Sequence, residues 1–372
     1  PLRLVGSEMC IRDRDDPQYV MGGSYAGTVD ILDSKAKAST NVMEAPILYQ
    51  AMDAKDMKYR FTWNAPIIWS KHEPGVFYHG AQYLLRTDDM GKTWKEVSPD
   101  LTRNEKDKQG KAGVPYTNEG VGGENYGTLA YISESPYEKG VIYTGSDDGL
   151  VHLTKDNGAH WQNITPAGLQ ECLINAIEIS PFDKATAYIA ATRYKFNDYA
   201  PLLYKTTDYG KSWTKISSGI PYGAHTRVIR EDDVRKDLLF AGTELGVYIS
   251  LNGGKDWSPF QLNLPVVPIT DLRIHQGNLI AATAGRSYWI LDDLSMIRQY
   301  KKSNGALQMF TPSPAFYING QSELDETRND FSGMGTFNGV NPSTGVVIYY
   351  ELPEIRDSSL QLRLEIKDAE GR

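Results

Sequence analysis

Five carboxylates stand where the chain reads as loop rather than strand: Asp147 and Asp148 in GSDDGL, Glu244 in TELG, Glu124 in GENYG and Asp292 in WILDD. Two carboxyl groups held ~5–9.5 Å apart across a cleft can serve as acid and base or nucleophile for glycoside hydrolysis, with sugars stacking on aromatic rings. Trp63, Tyr126 and Tyr194 provide such rings. One member of the Asp147/Asp148 pair, with Glu244 as its partner, is the preferred catalytic combination. An Asp-Asp-Gly sequence is also ordinary turn chemistry, and that reading stands beside the catalytic one for both loops. Arg60, Trp63 and Asn64 in YRFTWN suit a polyhydroxylated or anionic ligand, unless Trp63 is core and Arg60 is paired with a neighbour. Arg193, Arg227 and Arg286 each open or occupy a loop. A guanidinium matches a carboxylate bidentately, whether that carboxylate belongs to a ligand or to the protein's own acidic surface.

Other chemistries find no support. The six histidines are scattered without HxxxH or HExxH spacing, so no metal is expected. No phosphate-cradling glycine loop and no GxSxG elbow occurs, and no cofactor is expected. The 39 basic and 47 acidic residues leave a net charge of −8, which argues against a generic nucleic-acid partner. No apolar run approaches the ~18 residues of a membrane span. Cys10 and Cys172 are too few for a disulfide framework.

The elements that would position these residues come from a repeat. Thr87–Trp94 (TDDMGKTW), Thr154–Trp161 (TKDNGAHW), Thr206–Trp213 (TTDYGKSW) and Ser250–Trp257 (SLNGGKDW) share a hydroxyl residue, then Asp89, Asp156, Asp208 or Asn252, then Gly, then Trp. In such a hairpin the Asp accepts backbone N–H bonds within its own turn, the hydroxyl braces the loop, Gly permits positive φ, and Trp covers the hairpin. These acids are therefore expected to be structural. The glycines lie 67, 52 and 44 residues apart, and periods of ~40–50 suit four-stranded blades with insertions.

A second pattern precedes each hairpin: a short apolar strand, a polar turn and an alternating strand, as in AYISESPYEKGVIYTG and VIREDDVRKDLLFAG. LRIHQGNLIAAT repeats it without the hairpin, and Tyr19–Asp33 supplies only two middle strands. Each unit reads as strand a, turn, strand b, loop, strand c, hairpin, strand d. In an up-and-down blade the a–b turn and c–d hairpin share one face, and the b–c loop and the link to the next blade share the other. The long segments Thr40–Pro66, Pro99–Tyr126, Thr192–Pro201 and Gly219–Thr226 all fall on the second face, which is the expected functional surface.

The four hairpins resemble Asp-boxes, also called bacterial neuraminidase repeats, of sialidases, xyloglucanases and sortilin-type receptors. AKDMKYRFTWNAPI, LYKTTDYGKSWTKI and AGRSYWILDDL, among other stretches, resemble large exported bacterial propeller proteins described as sortilin-like or glycosyl hydrolase-like. The resemblance covers about residues 17–300 and implies an all-β β-propeller. It also implies export to the periplasm, cell surface or medium, any signal peptide lying upstream of this piece. Sialidases clamp a carboxylate with three arginines, but their Arg-Ile-Pro opening is absent from this sequence.

Residues 1–14 fit no repeat and resemble translated adapter sequence, so 1–16 is set apart as a non-native or leader segment, followed by the propeller at 17–302. A turn-rich linker is expected at 303–340 and the start of a small β-sandwich at 341–372. Two functions remain. One is binding and hydrolysis of a polysaccharide on the face opposite the Asp-boxes, with Arg60, Trp63, Asn64, Tyr126, Arg193 and Arg286 as ligand contacts. The other is a non-catalytic, sortilin-like propeller that binds peptide or protein.

Overall fold

A computed structural model describes residues 9–12, 18–45, 47, 49, 51–110, 116, 118, 124–301, 307–315, 345–353, 363–367 and 370–371. Alternating apolar residues and frequent turn signals yield short antiparallel strands. The first sheet is β1 (Met9–Arg12), β2 (Tyr19–Gly23), β3 (Val29–Asp33) and β4 (Ala38–Asn41). The second is β5 (Ile67–Trp69), β6 (Phe77–Gly80), β7 (Leu84–Thr87) and β8 (Lys95–Glu96). The third is β9 (Leu129–Glu134), β10 (Ile142–Ser146), β11 (Val151–Thr154) and β12 (Gln162–Asn163). The fourth is β13 (Leu173–Ile179), β14 (Ala187–Arg193), β15 (Asp198–Thr206) and β16 (Thr214–Lys215). The fifth is β17 (Thr226–Glu231), β18 (Leu239–Thr243), β19 (Gly246–Ser250) and β20 (Ser258–Pro259). The sixth has three strands, β21 (Ile269–His275), β22 (Asn278–Thr283) and β23 (Tyr288–Leu291).

Within every sheet the strands follow sequence order, so each is an up-and-down meander. Contacts pass from the first strand of one sheet to the first strand of the next, and among the described residues the series does not close into a ring. Two details differ from the sequence expectation. Met9–Arg12, set aside with residues 1–16, pairs with β2 in the register Ile11↔Met21. The first sheet therefore has four strands rather than two. Nothing in the repeat pattern marks β1; backbone pairing needs no particular side chain.

The core lies between sheets. Tyr143, Val151 and Leu153 of the third pack with Ile174, Ile177 and Ile189 of the fourth, all nearly inaccessible to solvent. Each such side chain contributes ~1.5–3 kcal/mol of burial. The fourth strands β8, β12, β16 and β20 are two residues long and exposed, short edges that offer little backbone for stray pairing.

The chain divides into two compact units, Pro1–His275 with Ile280–Ile290, and Gln276–Leu279 with Leu291–Arg372. In the second unit α1 (Ser295–Gln299) begins at Leu294, whose N–H bonds the Gly277 carbonyl at 2.7 Å. A two-residue ladder joins β24 (Gln308–Met309) to β25 (Tyr350–Glu351). In the region 341–372, where two sandwich strands are expected, Tyr350–Glu351 takes strand pairing and the described residues 363–367 have none, while 354–362 lie outside the described residues. Most of the expected linker, 303–306 and 316–340, lies outside the described residues.

Candidate functional site

The hairpin residues do what their types demand. Thr87 Oγ1 donates to Asp89 Oδ1 at 2.8 Å and accepts the Gly91 N–H at 2.8 Å, while Asp89 accepts the Thr93 N–H at 2.9 Å. Thr154/Asp156, Thr206/Asp208 and Ser250/Asn252 repeat these bonds. All four motif positions expected to be structural are so engaged. Backbone bonds Asn157 N–H to Gly140 O, Tyr209 N–H to Ala185 O and Gly253 N–H to Asp237 O tie the second, third and fourth hairpins to the a–b turns of their own sheets. Turns and hairpins thus share one face, as strand order requires.

On the opposite face the long insertion is pinned by charge. Arg60, 2% exposed, donates through Nε to the Gly127 carbonyl at 3.0 Å and through Nη2 to Asp100 at 3.0 Å and Thr102 at 3.2 Å. The expected alternative, pairing with a neighbour, describes its environment. Asp147 is buried, and its Oδ1 accepts the N–H groups of Gly127 and Thr128 at 3.1 and 2.8 Å. Burial, then the adjacent Asp148 charge, pushes its carboxyl up to about 7 against the Thr128 N–H bond. Asp148 Oδ2 accepts the Arg103 N–H at 2.8 Å, and burial raises its carboxyl also. Both acids therefore hold loop backbone. Lys108 pairs with Glu171 at 2.9 Å and Lys195 with Glu124 at 3.1 Å, extending the same stitching.

The remaining candidates vary in environment. Trp63 packs edge-on against Tyr25 with centroids 4.3 Å apart, and Asn64 beside it is exposed. Tyr126 is 4% exposed and stacks near Tyr116. Arg193 bonds Asp198 at 3.0 Å and the Glu171 carbonyl at 2.6 Å. Arg286 is exposed, its N–H bonded to Thr283 Oγ1. Asp292 belongs to the second unit.

Glu244 sits in a different setting. Its Oε2 accepts Arg227 Nε and Nη2 at 3.0 and 2.7 Å, with His225 Nε2 at 3.3 Å. His225 stacks on Tyr194 at 5.8 Å and touches Tyr199 at 6.0 Å, and Tyr199 meets Tyr222 at 6.2 Å. Tyr194, Tyr199 and Tyr222 are 39, 37 and 67% exposed, a continuous aromatic ledge beside a charged pair. Tyr199, Tyr222 and His225 were not singled out for stacking by the sequence. Tyr222 and His225 do fall in the long Gly219–Thr226 link, which was their available signal.

Among the described residues no group of three or more His, Cys, Asp or Glu is placed to hold a metal ion. No helix there is long and apolar enough to cross a membrane.

Sheets of this kind, joined first strand to first strand, define a β-propeller. Two solved GH74 structures agree. The GH74 xyloglucanase from Xanthomonas campestris is 16% identical with a TM-score of 0.51, over 76% of this chain and 44% of that one. The Niastella koreensis GH74 enzyme is 14% identical with a TM-score of 0.51, over 84% of this chain and 49% of that one. YCF48 bound to D1 peptide is 13% identical with a TM-score of 0.49, over 79 and 85%. The chain thus spans less than half the length of those two GH74 proteins, and similarity at this identity establishes the fold alone. No protein-family model matches the chain, and no curated protein sequence matches it.

Proposed function

We propose that this chain is a glycosyl-hydrolase-like propeller of an exported protein that binds a polysaccharide on the face opposite the Asp-boxes. The observation that carries the reading is the ledge of Tyr194, Tyr199 and Tyr222 beside Glu244 and Arg227. Exposed tyrosines present flat apolar faces for sugar rings, and the charged pair offers hydroxyl-binding partners. Arg286, Trp63 and Asn64 extend the proposed contact surface, with Tyr126, Arg60 and Arg193 supporting it from beneath. Binding is placed ahead of hydrolysis because Asp147 and Asp148 already engage backbone amides.

Affinity electrophoresis against a polysaccharide panel, with xyloglucan included, tests the reading. Tyr222→Ala should weaken retention by about 0.5–1.5 kcal/mol, the worth of one aromatic contact. Equal retention of wild type and variant on every polysaccharide would reject the ledge. Hydrolysis by Asp147 or Asp148 with Glu244 is the catalytic form of the proposal, checked by release of reducing ends and its loss in Glu244→Gln. A peptide or protein ligand on the same face is the second reading, favoured by the mixed-charge rim of Lys195–Glu124 and Arg227–Glu244.

A further inference from the structure

The face that carries the Asp-boxes has a cavity of its own, about 210 Å³, at the first strands of successive sheets. Its walls include Ser133 of β9, Glu178 of β13, Arg230 of β17 and Arg273 of β21, with Lys71 and Asp233 contributed by a–b turns. The inward positions follow from register. Ser135, Ser180 and Asp232 make the same turn-closing backbone bond, to Val141, Thr186 and Leu238, and Ser133, Glu178 and Arg230 each lie two residues earlier. A strand alternates sides, so residues two apart face the same way.

Arg230 is the floor. Its guanidinium donates to the Leu272 carbonyl at 2.8 Å, Asp271 at 2.8 Å, Glu178 at 3.3 Å and Tyr131 Oη at 3.3 Å, spanning four sheets. Its donors are thus committed, and Glu178 and Asp271 offset its charge. Glu231 accepts the Asp237 N–H at 3.0 Å through Oε1, while its buried Oε2 has no hydrogen-bond partner among the described residues. Asp233 stands at the rim. Lys71 and Arg273 differ: both side chains open on the cavity, and neither has a hydrogen bond or ion pair among the described residues. Desolvation pulls the Lys71 ammonium below its ordinary value; the Glu178 and Glu134 carboxylates oppose this, and the Arg273 and Arg230 charges add to it to a lesser degree.

Lys71 and Arg273 share Glu178 as a counter-charge across the cavity, yet the N–H donors of both side chains are taken up by no acceptor among the described residues and are available to a bound anion. The geometry points to a second ligand site here, in which Lys71 and Arg273 take a compact oxyanion over the Arg230–Glu178 floor. The chemistry is that of a carboxylate or phosphate group, with Arg273 matching two oxygens and Lys71 acting as a point charge. The lining carries acids as well as bases, so selectivity comes from which cations are unpaired rather than from net charge. The site is independent of the tyrosine ledge, which lies on the other face.

Calorimetric titration of the whole chain with inorganic phosphate, with D-glucuronate and with neutral D-glucose, at matched ionic strength, tests this. At least one oxyanion should bind and glucose should not; phosphate alone identifies a free or esterified phosphate, glucuronate alone a sugar acid. Lys71→Gln and Arg273→Gln should each weaken binding by about tenfold or more, the scale of a lost charge-assisted bond. Lys184→Gln, an exposed partner of Glu138 on the same face, is the control and should bind as wild type. Thermal melts confirm that the variants fold. Absence of oxyanion binding, or unchanged binding in both cavity variants, overturns the assignment.

Discussion

Trp213 Nε1 donates to the backbone carbonyl of Ile164 at 2.6 Å, joining the hairpin of the fourth sheet to the segment that follows the last strand of the third. Trp94, Trp161 and Trp257 do the same to Val42, Val97 and Ile216 at 2.8, 2.9 and 2.6 Å. The glycine three positions earlier serves the same junction. A Cβ on Gly210 would lie 2.5 Å from Ile164 Cδ1, and the Gly210 φ of +81° already disfavours any side chain. The repeated motif therefore ties neighbouring blades together as well as closing its own hairpin.

Trp213→Phe keeps most of the apolar area but removes the indole donor. A net loss of ~0.5–1.5 kcal/mol is expected, since the Ile164 carbonyl is left unbonded. Chemical denaturation should show this fall without any change in polysaccharide retention. A loss of retention at unchanged stability would contradict the structural role.

The three motif acids give the protein a specific acid sensitivity. The His160 N–H on Asp156, the Thr93 hydroxyl on Asp89 and the Ser212 hydroxyl on Asp208 are the foremost causes that hold each carboxyl at about 2. The folded values lie below the unfolded one, so this stabilisation is present above about pH 4 and is lost as pH falls towards 2. Asn252 shows that an amide fits the fourth copy. Asp156→Ala should lower the melting temperature at neutral pH, and Asp156→Asn combined with Asp208→Asn should flatten the decline between pH 4 and 2.

Asp147 behaves in the opposite sense. Its folded value of about 7 lies above the ordinary 3.8, so its favourable contribution is complete below about pH 4 and is lost as pH rises through 7. Asp147→Asn retains an oxygen for the Gly127 and Thr128 N–H groups and no longer titrates. Melting temperatures measured from pH 5 to 8 should fall less steeply in this variant than in wild type. A parallel decline in both would reject the raised value.

Arg60→Met should cost about 3 kcal/mol or more, the range for breaking a buried ion pair, because Asp100 and the Gly127 carbonyl lose their partner together. Urea denaturation measures it. A near-neutral change would return Arg60 to the ligand contacts.

How much of this was legible without coordinates varies by range of interaction. The bonds of the repeated hairpin span two to four residues, so Thr206, Asp208, Gly210 and Ser212 declare their geometry locally. The meander and the two faces follow from strand alternation and connection lengths alone. The Trp213–Ile164 bond spans 49 residues, and Arg60–Gly127 spans 67. No spacing rule connects such pairs, because each depends on how one sheet sits against the next. Asp147 and Asp148 read first as turn residues and second as acids; the backbone N–H groups they accept, from Gly127, Thr128 and Arg103, come from the insertion docked over them and have no mark in the sequence. Lys71 and Arg273, 202 positions apart, drew no notice at all. Sequence determined which residues make strands and hairpins, since those choices rest on local bonds. Tertiary structure decided which charges find partners, since that depends on whole sheets packing around an axis.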